Sequence, residues 1–394
     1  MKSKKRVSLM LGYSFNEAKD ASPEAQAAWY HTMQETQPVR YQPDHDLWEV
    51  FRYEDVQRVL TDYSTFSAEV LLEGFPETGG LNSDPPDHRR YRTLAGKAFT
   101  PRRVAQLTPR ITAIVDEILT QGRSEGKLDI VEQLAYPLPV RVVGEMLGVP
   151  LEDMERFRYW SYQLLGMMAN PEDPTQSEFR DYLNDQLNQR RQEPRDDLMS
   201  ALLTSEVNGD ILTQDEVLAL CLGLLVAGNV TTTMLLSYAA RRFVKQPEVF
   251  EQLRQDPSLI PGAIEEILRY DFSAVSFVRQ ARCDTTIGDS EIKEGQLVMA
   301  WLSAANFDET RFPHAEQFDI RRSSNLHMTF GHGIHYCLGA PLARLEGKIA
   351  LERMVAHWSD MRSDPENPPL YISEQIGMML SFPVLFTPTE DLVV

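Results

Sequence analysis

The sequence predicts a mainly α fold with small β-sheets (α+β), built as one domain over residues 1–394. Three observations carry that expectation. Helical periodicity dominates from about 88 to 270, and one apolar helix is long enough to cross a whole domain. Strand-like alternation is confined to short pieces near the two ends. No polar linker divides the chain. The domain therefore reads as a β-containing N-terminal part to about 70, a helical body over about 88–270, and an irregular, strand-containing part from about 271.

In order along the chain, LWEVFRYEDVQRVL (47–60) passes from an alternating strand into a helix. A Gly- and Pro-rich loop follows at 71–87, of a length that in compact domains is often functional. Helices are expected over VAQLTPRITAIVDEILTQG, VRVVGEMLG, DMERFRYWSYQLLGMM, DYLNDQLNQRR and DDLMSALL. The longest spans 213–245. Thr213 and Glu216 form a capping-box pattern at its start, and Pro247 marks its end. At 1.5 Å per residue it runs roughly 48 Å. Its middle, LALCLGLLVAGNV, is apolar on nearly every face, which places it inside the core. TTIGDSEI and QLVMAWLS read as strands, a last helix starts near 338, and GMMLSFPVLF predicts a final hairpin.

Composition narrows the function. With 58 acidic against 39 basic side chains, the formal charge is −19, which argues against a general nucleic-acid or anionic-membrane surface. Cys221, Cys283 and Cys337 cannot build a disulfide framework, and no CxxC pair suggests zinc. No uninterrupted run of about 18 apolar residues predicts a membrane span. The first residues lack a signal core, so a cytoplasmic location is expected.

The segment Phe330-Gly331-His332-Gly333-Ile334-His335-Tyr336-Cys337-Leu338-Gly339 carries the most information. Three of its glycines imply a tightly bent backbone, and the bend delivers Cys337 to a helix N-terminus, where amide dipoles favour thiolate. By its chemistry alone such a cysteine is a haem axial ligand, a nucleophile, or a buried small apolar residue. The full spacing, FGxGxHxCxG, resembles the haem-binding loop of the cytochrome P450 family, of the soluble bacterial type.

That resemblance implies the P450 fold, with the long central helix crossing the domain over haem b. It makes Cys337 the thiolate ligand of the iron, with Phe330 and Gly339 shaping its loop and His335 beside a haem propionate. DPPDHRRYR resembles the family helix whose His88 and Arg92 hold a propionate. Arg279, in FVRQA, matches the other propionate arginine. Glu266-Ile267-Leu268-Arg269 matches the family's ExxR helix, with Arg322 of FDIRR as third partner in a structural network. The pattern recurs at Glu49–Arg52, Glu155–Arg158 and Glu251–Arg254, and context singles out this copy.

Ala227-Gly228-Asn229-Val230-Thr231-Thr232 resembles the oxygen-binding segment, usually AGx(D/E)TT. Ala227 and Gly228 would widen the helix for O2, and Thr231 would hold water beside it. The competing reading of Thr231 is a hydroxyl bonded back to its own i−4 carbonyl. The acid expected before Thr231 is Val230, so proton delivery through that side chain is absent. The alternatives are water reached through Thr231 or Asn229, peroxide in place of O2, or a native chemistry that does not need full oxygen activation.

The activity implied is monooxygenation, the hydroxylation or epoxidation of a small lipophilic substrate. A peroxide-driven peroxygenase is the runner-up, and a non-catalytic haem-thiolate sensor comes last. No GxGxxG follows a strand, so electrons would come from a separate ferredoxin or flavodoxin with its reductase. Arg89, Arg90, Lys97, Arg102, Arg103, Arg344 and Lys348 are expected to form a basic entry face for that donor. Phe75, Val226, Val275, Phe277, Met378 and Met379 are expected to line the substrate pocket.

Overall fold

The computed structural model describes residues 23–70, 79–157, 159–160, 175–207, 209–272, 275–373 and 378–389. Its central element is the helix Gln214–Lys245. Thr213 accepts from the Glu216 amide while the Glu216 carboxylate accepts from the Thr213 amide, closing the expected capping box. Helices Pro137–Leu147, Thr175–Gln192, Ile260–Tyr270 and Ala340–His357 pack around it, with the short π-turn Ile130–Ala135. The helix is long and apolar enough to cross a membrane, but here these elements contact it along its length. Val217, Leu220, Cys221, Leu225, Leu236, Ala239 and Phe243 are buried, whereas Ala227 and Thr231 face open space. Packing around the helix is interrupted there.

A second core lies under a five-stranded sheet ordered Val39–Gln42, Leu47–Val50, Leu297–Trp301, Ser276–Ala281 and Phe66–Ser67. Leu297–Trp301 is central and buried throughout, as the apolar run LVMAW demands. It runs parallel to Leu47–Val50 and antiparallel to Ser276–Ala281, with Arg279 opposite Val298. Trp301 stacks on Phe51 at 6.2 Å between ring centroids. Thr285–Ile287 and Ser290–Ile292 form the small hairpin read from TTIGDSEI.

Two expectations are corrected. The helix drawn through VAQLTPRITAIV is two helices, Pro101–Gln106 and Thr108–Gly122, because Pro109 supplies no amide to continue the first. GMMLSFPVLF is not a hairpin. Met378–Ser381 pairs with Leu370–Ser373, whereas Pro383–Pro388 pairs with Trp358–Ser363 and Lys127–Asp129. The chain changes sheets because the Asp129 carboxylate holds the Ser381 hydroxyl and the Phe382 amide.

Glu266 and Arg269 form the buried network expected of them. Their side chains are fully buried, with a two-point bond at 2.7 and 2.9 Å. Arg322 Nε reaches Glu266 at 3.2 Å, Asn325 donates at 3.0 Å, and the Asp319 amide donates at 2.9 Å. Arg269 spends its remaining donors on the carbonyls of Asn306, Ala315 and Gln317. The stretch 306–325 has little regular structure, and these bonds hold it. Glu266→Gln would leave two buried guanidinium groups without an anion. Removing one partner of such a network costs about 3–5 kcal/mol, and chemical denaturation of the holoprotein would measure it.

Candidate active site

The ligand loop bends as its glycines predicted. Gly331 and Gly333 adopt φ of +74° and +72°, where a side chain would be strained. The bend brings the Cys337 amide onto the Phe330 carbonyl at 2.8 Å and the Gly331 amide onto Met328 O at 2.7 Å. Helix Ala340–His357 begins three residues after the cysteine, capped at Gly339. The thiol does not behave as its helix-terminal position suggested. Burial raises it, and this outweighs the Gly339 and Ala340 amides and the charges of Arg92 and Arg344, which lower it. A dipole alone does not make this sulfur a thiolate; a bound metal cation deprotonates a coordinating thiol outright.

Cations and imidazoles gather beside the loop. His88 and His335 lie 4.2 Å apart by ring centroid. His88 is buried, and among the described residues its Nε2 has no hydrogen-bond partner. Burial and the Arg92 charge lower its pKa. Arg92, on the same helix Asp87–Ala98, donates to the Tyr336 carbonyl at 2.5 Å. Arg279 is 8% exposed, and among the described residues it forms no ion pair; its hydrogen bond is to the neighbouring Val278 carbonyl at 3.0 Å. Burial pulls its guanidinium down to about 10. A buried guanidinium without an anion is costly, and an orphaned buried imidazole nitrogen is unusual in a finished core. Two acidic groups from a cofactor would satisfy both. These residues fit haem b.

On the long helix, the Thr231 hydroxyl donates to Ala227 O at 2.7 Å, the back-bond weighed from the sequence. Its single proton is thereby engaged, and its oxygen faces the opening as an acceptor. Ala227 and Thr231 share that open face. Gly228 instead faces helix Pro137–Leu147, where an added Cβ would lie 3.4 Å from Val143 Cγ2. Asn229 is turned into the interior, 1% exposed, with both side-chain polar atoms unpartnered. Neither it nor Gly228 shares the open face. Successive residues on a helix point about 100° apart, which separates the two directions.

Among the residues expected to line a pocket, Phe277 and Arg279 share a strand face, with the Phe277 ring beside Gly331. Val275 is half-buried and packs against both cores. Met378 is half-buried, while Met379 points to the opposite strand face and is buried in the larger core. Phe75 and the Val226 side chain lie outside the described residues, as does most of 160–172. Of the seven basic residues, Arg90 pairs with Glu216 at 2.7 Å, Arg344 with Glu265 at 2.7 Å and Lys348 with Glu352 at 3.7 Å. Lys97 donates to the Glu206 carbonyl, and Arg89, Arg102 and Arg103 are exposed.

The sequence reading missed Glu346. It is fully buried and accepts from Thr232, the neighbour of Thr231. Burial raises its pKa to about 8 despite that bond. The available signal was its place in the apolar stripe Leu342, Glu346, Ile349, Ala350, a carboxylic acid where the helix turns inward.

The family model "Cytochrome P450" matches residues 150–384. The chain is 40% identical over 346 residues to "Putative cytochrome P450 YjiB" of Bacillus subtilis, covering 84% of this chain and 87% of that protein. It is 40% identical over 348 residues to "Cyclomarin C epoxidase CymV" of Salinispora arenicola, covering 84% and 88%. The crystal structure of CYP109E1 from Bacillus megaterium in complex with testosterone superposes with a TM-score of 0.84 at 35% identity, covering 91% of this chain and 98% of that one. The chain belongs to the cytochrome P450 family. It is a monooxygenase of the bacterial type, with haem b as its cofactor.

Two measurements follow from the site. The buried Arg279 guanidinium fits a cofactor acid, so for Arg279→Leu haem transfer to apomyoglobin is expected to be about tenfold faster. For Glu346, the folded chain keeps a proton that the unfolded chain loses above 4.5. Stability therefore falls as pH rises from about 4.5 to about 8. Glu346→Gln should lack that fall, its Tm dropping by roughly 2–4 °C less than wild type between pH 5 and 8.

Proposed function

We propose that Cys337 is the thiolate ligand of the haem iron, and that this enzyme inserts one atom of O2 into a lipophilic organic substrate. The observation that carries the reading is unmet demand beside the Cys337 loop: among the described residues Arg279 forms no ion pair and the buried His88 Nε2 has no hydrogen-bond partner. The long helix adds an open stretch at Ala227 and Thr231. The cofactor supplies the oxygen-activating chemistry when bound. The chain's own residues do the rest. The Gly339 and Ala340 amides bond to the sulfur and moderate its donation. His88, Arg92 and Arg279 neutralise the cofactor's acids. Thr231, its proton engaged by Ala227 O, holds a water or a protonated oxygen by accepting from it.

The whole chain is read as one catalytic domain, consistent with Val275 and Phe318 packing against both cores. Hydroxylation and epoxidation of a bulky, mostly apolar molecule fits the methionine- and phenylalanine-bearing strands. The epoxidase among the relatives and the testosterone complex among the neighbouring structures support that class. Electrons are assigned to a separate ferredoxin or flavodoxin with its reductase, and the enzyme to the cytoplasm beside them. Arg89, Arg102 and Arg103 are the exposed cations that would meet an acidic donor.

One observation favours a second reading, peroxide-driven oxygenation: Val230 replaces the acid that would relay protons. A reduced carbon monoxide difference spectrum tests the ligand directly, and a histidine-type spectrum would refute it. Turnover of a lipophilic panel with ferredoxin and reductase, against peroxide alone, separates the two reactions. With reductase, Val230→Asp should raise product formed per electron several-fold. Unchanged coupling would remove Val230 as the limiting feature.

A further inference from the structure

Tyr336 immediately precedes Cys337, and its two polar ends are held by different helices. Its carbonyl accepts from Arg92 Nη2 at 2.5 Å, and its hydroxyl accepts from Arg344 Nη1 at 2.9 Å. The peptide between Tyr336 and Cys337 is therefore bonded on both edges, its oxygen to Arg92 and its N–H to the Phe330 carbonyl at 2.8 Å. Arg344 is itself immobilised. Its other two donors make a two-point bond to Glu265 at 2.7 and 2.8 Å, and its guanidinium lies 4.6 Å over the Phe330 ring. His327 also reaches Glu265, at 3.2 Å. Despite partial burial, the Arg344 and His327 bonds pull the Glu265 carboxyl down to about 2. The anion at the base of this chain is thus present throughout the working pH range.

Tyr336 is 39% exposed, so apolar burial alone does not fix it. The hydroxyl bond is its specific anchor. A planar guanidinium that bridges a carboxylate, a phenol and an aromatic face has one allowed orientation. Glu265 and Arg344 therefore transmit the position of helices Ile260–Tyr270 and Ala340–His357 to the peptide that carries the sulfur.

We propose that Tyr336 and Arg344 are positioning residues for Cys337, a clamp that sets the direction of its sulfur and hence how strongly it donates to the haem iron. The inference rests on the assignment of Cys337 as the iron ligand.

The test uses the haem-loaded enzyme and reads spectra and potential. Tyr336→Phe deletes one hydroxyl and leaves the Arg344–Glu265 bond in place. Under mild urea, conversion of the ferrous carbon monoxide complex from the thiolate-type to the thiol-type band should be about tenfold faster than in wild type. The haem reduction potential should shift in the same sense in Tyr336→Phe and Arg344→Lys, because lysine keeps the charge and loses the fork. The double variant should move little beyond either single one, since both break one chain. Unchanged conversion and potential in Tyr336→Phe, or fully additive shifts in the double variant, would overturn the clamp. So would a variant altered only in its rate of reduction by ferredoxin, which would make Tyr336 a docking residue. A wild-type spectrum without the thiolate band would instead strike the ligand assignment itself.

Discussion

Two adjacent carboxylates on one helix, Glu265 and Glu266, hold the rest of this structure in register. Successive residues on a helix point about 100° apart, so the two acids serve different elements. Glu266 is fully buried and gathers Arg269, Arg322, Asn325 and the Asp319 amide, which anchors the irregular stretch ahead of the ligand loop. Glu265 faces the other way and fixes Arg344, on the helix that follows the loop. The loop is thus pinned at its entrance by one acid and at its exit by the other. The loop's own turns, such as Cys337 N–H to Phe330 O, set its local bend, and the charged groups outside it fix its two ends.

The site is built around unmet electrostatic demand. Among the described residues, Arg279 is buried without an ion-pair partner, and an imidazole nitrogen of His88 is buried without a hydrogen-bond partner. Such groups destabilise a chain folded alone and become favourable once acidic groups arrive. Folding and cofactor capture are coupled for that reason. The same logic explains the thiol: burial raises it, and only a cation at the sulfur reverses the balance. The net charge of −19 describes the exterior, whereas the interior beside the loop is locally positive.

Much of this was legible from residues that act locally. The capping box at Thr213 and Glu216 placed the long helix to within a residue, because a cap is satisfied by its own turn. The glycines at 331 and 333 announced the bend for the same reason. What escaped were outcomes decided between distant segments. Asp129 moves the chain from one sheet to another at Ser381, 252 residues away, and no turn signal in GMMLSFPVLF could show it. Asn229 sits inside a functional-looking motif yet turns inward, since helical phase separates it from Thr231. Glu346 went unnoticed because its burial depends on which face of the last helix meets Thr232. Several of the seven basic residues read as an open face, but neighbouring carboxylates already occupy three of them.

The anchor at Asp129 also bears on how such an enzyme can change over evolutionary time. Because it grips the chain at Ser381 and Phe382, the paired strands Leu370–Ser373 and Met378–Ser381 form a separate two-stranded sheet, tied to the larger core through Met379. The other sheet receives its register from Pro383 onward. Mutation in the two paired strands can therefore reshape whatever they touch while that other sheet stays aligned. Where these strands form the wall proposed for the substrate pocket, that wall can be exchanged without rebuilding the enzyme.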